Sequence, residues 1–182
     1  FSASSQAETG EGFFDIEALN GDETLDCCLD DNHVDIIYYP MGQAWRGSQD
    51  EGGAKAYLDY VALANEDVVV LRLLIAVQIE DMLCADTVSL SLGNVTVTAA
   101  VNPTTSEYDA IVLEEYPLFL AGELLPLAEA MAGSDGLLRF TLNGERTVSG
   151  SIAIPPEEWQ ALWANWVALG GLEQPLERLT GY

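Results

Sequence analysis

In Val68-Val-Val-Leu-Arg-Leu-Leu-Ile-Ala-Val-Gln-Ile79 every odd-numbered position is apolar, while Arg72 and Gln78 fall on even-numbered ones. Successive strand side chains point to opposite faces, so the run predicts a central strand with one fully buried side and one mixed side. Its density of β-branched residues favours strand over helix. Arg72 and Gln78 interrupt it well short of the roughly 18 apolar residues that a membrane span requires.

A hairpin pattern follows. Thr87-Val-Ser-Leu-Ser-Leu92 and Val95-Thr-Val-Thr-Ala-Ala-Val101 flank the pair Gly93-Asn94. A two-residue loop with glycine at positive φ sets Leu92 against Val95, Leu90 against Val97 and Val88 against Ala99, and puts Ser and Thr on the opposite face. A second hairpin, residues 137–142 with 146–154, surrounds Asn143-Gly144. Here only an odd-numbered loop aligns Leu138, Phe140 and Leu142 with Val148, Ile152 and Ile154. Gly144 is then expected in a left-handed bulge position.

The remaining segments are read from composition and punctuation. Residues 13–19 fit a short strand or one helical turn. Residues 20–33 read as loop, because Asn, Asp and Gly supply turn conformations. Residues 33–39 alternate as a strand that Pro40 ends, and 41–53 form a long Gly-rich connection. Residues 54–64 are read as a strand paired with the central one, although Leu58, Val61 and Ala62 also suit a helix. Residues 102–107 read as loop and 108–116 as a strand closed by Pro117. Residues 118–131 are helix-like, with Pro126 either kinking the helix or starting it. Pro155-Pro156-Glu157-Glu158 opens a last helix, with carboxylates where the helix dipole favours them, and Gly170-Gly171 stops it. Its stripe of Trp159, Leu162, Trp163 and Trp166 reads as core; a sugar-binding platform is the sharper but less common use of such spacing.

This order of elements predicts an α+β fold: a largely antiparallel β-sheet built from hairpins, with two helices packed on it. With 182 residues and 49% hydrophobic content, one well-filled core is expected. The single domain is assigned to 13–182, behind a polar linker or trimmed N-terminal segment over 1–12.

Charge changes the picture most. Thirty acidic residues against six basic ones give a formal net charge of −24. Such a surface repels phosphate backbones and anionic lipid, which argues against nucleic acid and membrane-surface partners. A basic protein, a cation or high ionic strength suits it better. The linker-like start at Phe1 fits an exported bacterial protein with a signal or lipid anchor upstream, hence an extracytoplasmic place (secreted, periplasmic or cell-surface). A tag scar on a cytosolic protein is the alternative. Of three cysteines, Cys84 can bridge Cys27 or Cys28, because vicinal cysteines bond each other poorly; three unbridged thiols are the other reading.

Candidate chemistry is sparse. The 20–35 stretch gathers Asp22, Glu23, Asp26, Asp30, Asp31 and Asp35 around the single histidine, His33. Calcium takes six to eight oxygen ligands, so Asp26, Asp30, Asp31 and His33 are weak metal candidates; the spacing lacks the glycine and terminal glutamate of an EF-hand, and a solvated acidic loop is the commoner outcome. Trp45 and Arg46 are binding candidates on a loop, where a flap packed over the core is more usual. No nucleophile elbow, phosphate loop, dinucleotide fingerprint or paired-cysteine zinc pattern is present. The leading expectation is therefore a non-enzymatic interaction or ligand-binding module. The alternatives are an acidic inhibitor or immunity-type protein on a basic partner, and a carboxylate-based hydrolase. A charge that records only a high-salt habitat is a fourth reading.

Overall fold

The computed structural model describes residues 16–29, 35–40, 55–63, 68–108, 111–133, 137–153 and 156–174. They form an α+β fold whose strand pairs are all antiparallel. In chain order the elements are α1 (Ile16–Asn20), β1 (Leu25–Leu29), β2 (Ile36–Pro40), β3 (Lys55–Leu63), β4 (Val68–Ile79), β5 (Thr87–Leu92), β6 (Val95–Ala100), β7 (Thr104–Tyr108) and β8 (Ile111–Phe119). After a 3-10 turn at Gly122–Leu124 come α2 (Leu125–Ala132), β9 (Leu137–Asn143), β10 (Thr147–Ala153) and α3 (Pro156–Ala168), then a second 3-10 turn at Gly171–Glu173.

The strands divide into two sheets, a six-stranded one ordered β1-β2-β3-β4-β8-β7 and a four-stranded one ordered β10-β9-β5-β6. The central strand is β4, and Val68 to Leu73 are buried on both of its sides. Even Arg72, expected on a mixed face, is only 9% exposed. Helix α2 packs on β5, β6 and α3, and α3 also approaches β3, so the helix pair links the two sheets. One apolar core results, drawing on β4, β5, β8, β9, α2 and α3. Trp159, Leu162 and Trp166 are buried in it and Trp163 is half-buried, with the Trp163 and Trp166 rings 5.6 Å apart. The tryptophan stripe is core.

The first hairpin has the expected register: Leu92 opposes Val95, Leu90 opposes Val97 and Val88 opposes Ala99. Gly93 has φ 58°, the requirement of the first central position of a II′ turn. In the second hairpin Asn143 opposes Thr147, Leu142 opposes Val148 and Leu138 opposes Ile152, which leaves an odd loop of three residues. Gly144, however, does not take the left-handed conformation. Its glycine requirement is one of space, since a Cβ there would lie 2.7 Å from the Leu83 carbonyl oxygen.

One open reading is decided and three segments depart from expectation. Residues 16–20 are helix, which decides between the two readings of the first segment. Leu25–Leu29, inside the expected loop, is edge strand β1, and Thr104–Tyr108, which takes in most of the loop expected over 102–107 and the first residue of the strand expected from 108, is edge strand β7. Strand β8 does not close at Pro117 but runs through it to Phe119. The Leu120 amide donates to the Leu71 carbonyl at 2.8 Å, so Leu71 and Leu120 are a bonded pair and the alternation leaves Pro117, opposite Leu74, facing away from β4. On that outer side β7 has already ended opposite Glu115, so the missing N–H of Pro117 leaves no carbonyl wanting. Pro126 sits in the first turn of α2 and starts it.

The charge yields a stability prediction. At tens of millimolar salt the Debye length is long enough for thirty carboxylates to repel one another; at molar salt it falls to about 3 Å. Thermal unfolding followed by circular dichroism should therefore show Tm lower by about 10 °C at tens of millimolar KCl than at molar KCl. A Tm independent of KCl would remove self-repulsion from the account of this protein.

Candidate functional site

Of the residues singled out from sequence, Asp26 lies on β1, exposed, opposite Tyr39 of β2. Asp30, Asp31, His33, Trp45 and Arg46 lie outside the described residues. Among the described residues no three His, Cys, Asp or Glu side chains gather as metal ligands. Asp22, another acid of that stretch, works as a tie. Its carboxylate accepts the Thr24 amide at 2.8 Å, the Thr24 hydroxyl at 2.6 Å and the Asn165 side-chain amide of α3 at 3.2 Å. The hydrogen bonds from Thr24, and then that from Asn165, hold its carboxyl below the usual carboxylate range. The three cysteines are exposed and no disulfide joins Cys84 to Cys27 or Cys28.

The buried acidic side chain among those described is Glu114, on β8. It shares strand parity with buried Val112, Tyr116 and Leu118, so it points into the core with them. One carboxylate oxygen accepts the amides of Leu83 at 2.7 Å and Cys84 at 3.0 Å, and the other accepts the Tyr116 hydroxyl. That hydroxyl in turn accepts the Ala85 amide at 3.1 Å. Burial, and then the bond to Glu114, push the Tyr116 phenol well above its ordinary value. Around this anchor the chain turns from the six-stranded sheet into the four-stranded one. Cys84 takes φ 47°, the left-handed region, at the turning point. From outside, Arg146 donates to the carbonyls of Asp81 at 2.7 Å and Met82 at 3.1 Å. The Glu114 carboxylate, the Tyr116 hydroxyl and the Arg146 guanidinium are all bonded to the backbone of this loop, so the cluster acts as a latch. A hydrolase would need its buried carboxylate turned toward a substrate, and Glu114 is turned toward backbone amides.

The surface feature that stands out is the outer face of the four-stranded sheet. Register places Ser149, Thr141, Ser89 and Thr98 side by side in one row across β10, β9, β5 and β6. Thr147, Asn143, Thr87 and Ala100 form the row on one side, and Ser151, Arg139, Ser91 and Thr96 the row on the other. These twelve positions hold nine hydroxyls, one amide, one methyl and one guanidinium. None is a carboxylate, in a chain with thirty. Within the middle row the hydroxyl oxygens of Thr141 and Ser149 are 3.0 Å apart and those of Ser89 and Thr98 are 3.3 Å apart. Ser151, at 7% exposure, marks the closed end of the array. Sequence alone showed the Ser and Thr face of one hairpin; joining it to the second hairpin required the pairing of β5 with β9.

No helix among the described residues is long and apolar enough to cross a membrane. Comparisons with protein-family models, curated proteins and solved structures find no match to this chain.

Proposed function

We propose that this protein is a non-enzymatic binding module that meets a neutral, polyhydroxylated ligand, a polysaccharide by chemistry, on the outer face of its four-stranded sheet. The observation that supports this reading is the carboxylate-free array, with eight hydroxyls exposed or half-buried, on a chain of net charge −24. A hydroxyl both donates and accepts, so neighbours about 4.8 Å apart along each row offer paired hydrogen bonds to the hydroxyls of a sugar chain laid across the strands. No anion has to be desolvated when such a chain lands, and Arg139 adds a fork of donors at the edge. With no aromatic platform among those twelve positions, each contact is weak, with Kd on the order of 1 mM per site, and retention depends on length and repetition of the polymer.

Retention on insoluble cellulose, chitin and related neutral polysaccharides tests the reading. The double substitution S89D/T98D, which places carboxylates in the middle row, should abolish retention while leaving the fold intact. Binding that survives this change, or no binding to any neutral polymer, overturns the proposal. The net charge supports a second reading, steered association with a basic protein partner; such binding should weaken steeply as salt rises, whereas hydroxyl-mediated retention should not.

A further inference from the structure

The twenty residues from Thr87 to Ser106 contain no charged side chain, although the chain carries thirty acidic and six basic residues. Edge strand β6 lies wholly within that stretch. Sheet edges in native proteins are normally blunted by charge, proline or a bulge, because unpaired amides and carbonyls recruit other strands. The edge at β1 carries Asp26 and the edge at β7 carries Glu107, while Ser151 and Ile152 are buried at one end of the edge at β10. β6 has the sequence Val-Thr-Val-Thr-Ala-Ala, with no blunting device.

Its hydrogen-bonding groups can be assigned by alternation. The Val101 amide donates to the Asp86 carbonyl at 2.9 Å, which makes Thr87 and Ala100 a non-bonded pair. Val95, Val97 and Ala99 therefore bond to β5, and the amides and carbonyls of Thr96, Thr98 and Ala100 point outward. Among the described residues none of these outward groups has a backbone partner. On the core side Val95, Val97 and Ala99 are only half-covered, whereas Leu92, Leu90 and Val88 opposite them on β5 are buried.

We propose that β6 is a self-pairing edge, and that two copies of this chain join their four-stranded sheets into one of eight strands. A second copy is the occupant the charge selects, because this is a stretch where two strongly acidic molecules can approach without bringing carboxylates together. The pairing is antiparallel about a two-fold axis through Val97. Thr96 then opposes the partner's Thr98 as a bonded pair, Val95 opposes the partner's Ala99, and both half-covered valines become interior. The row of Ser149, Thr141, Ser89 and Thr98 then runs on through the partner's Thr96 into the partner's Ser91 and the partner's Arg139. This assembly does not rest on the polysaccharide reading and survives its failure.

Sedimentation of the full chain over a range of concentrations, in tens of millimolar and in molar KCl, provides the test. A dimer is expected in molar salt and dissociation in low salt. Thr98→Pro deletes one outward amide without touching the β5 ladder, and is expected to weaken dimerisation by about a hundredfold at unchanged salt. Thr98→Lys, which keeps the amide but charges the edge, should also dissociate the dimer and covers the case in which the proline variant does not fold. Thr98→Ala should leave the dimer in place. A wild-type monomer at every salt, or a dimer indifferent to both Thr98→Pro and Thr98→Lys, overturns the proposal.

Discussion

Replacing Glu114 by leucine should lower the free energy of unfolding by about 4 kcal/mol, a large part of the roughly 5–15 kcal/mol that a domain usually has. The substitution keeps the bulk but strands the amides of Leu83 and Cys84 and the hydroxyl of Tyr116, all of which the carboxylate now satisfies. Glu114→Gln should cost less, about 2 kcal/mol, because one side-chain oxygen still accepts while the amide nitrogen meets a donor where it needs an acceptor. Urea unfolding in molar KCl, where surface charge is screened, measures both. If the leucine variant loses less than about 1 kcal/mol, the latch is not what holds the crossing between the sheets. The pH dependence carries a second signature. The Tyr116 phenol is raised above its ordinary value of 10.0, so its contribution is fully present below that pH and is lost only as pH climbs through the higher folded value. In Tyr116→Phe that loss should vanish, so stability should fall less steeply above about pH 10 than in the wild type.

Gly171→Ala should lower Tm by about 8 °C, equivalent to overpacking of about 3 kcal/mol in a domain of this size. A Cβ at Gly171 would lie 2.2 Å from the fully buried Trp166 indole, so the ring or the backbone must shift. The indole N–H donates to the Val69 carbonyl at 3.0 Å. Gln174, also buried, accepts the Val69 amide at 2.6 Å and donates to the same carbonyl at 2.8 Å. Displacing Trp166 thus disturbs three hydrogen bonds at one residue of the central strand. Gly93→Ala is the matched control: it has open space around the added carbon but φ 58°, so it should cost only about 1 kcal/mol of backbone strain. Equal Tm losses for the two alanine variants would mean that the Trp166 contact is not tight in solution.

The parts of the fold legible in sequence are those where two signals coincide. At residues 87–100 glycine in the turn and apolar matching across the strands agree, and both are found. The last helix was equally plain, since proline, first-turn carboxylate and a three-to-four-residue apolar spacing all point one way. β1 and β7 were illegible because edge strands hold their shape through a neighbour's hydrogen bonds; Leu-Asp-Cys-Cys-Leu and Thr-Thr-Ser-Glu-Tyr bury too little to alternate. The division into two sheets was hidden for a related reason. Periodicity reports which face is apolar, not which strand lies beside it. Glu114 was one acid among thirty, yet a signal existed: it falls on the buried parity of β8 with Val112, Tyr116 and Leu118, where a carboxylate must find partners. Of the proposed hydroxyl face, half could be read from one hairpin; the remainder depended on tertiary pairing.

The bonds from Gln174 to Val69 span 105 positions of sequence. Beyond Leu71 strand β8 has turned away, and a side-chain amide does there what the next strand would have done. During synthesis β4 thus leaves the ribosome with its first residues incompletely paired, and they stay so until residue 174 has followed. Pairing at Val69 therefore needs segments far apart in sequence to meet, a closure that the local hairpins of β5 with β6 and β9 with β10 do not need.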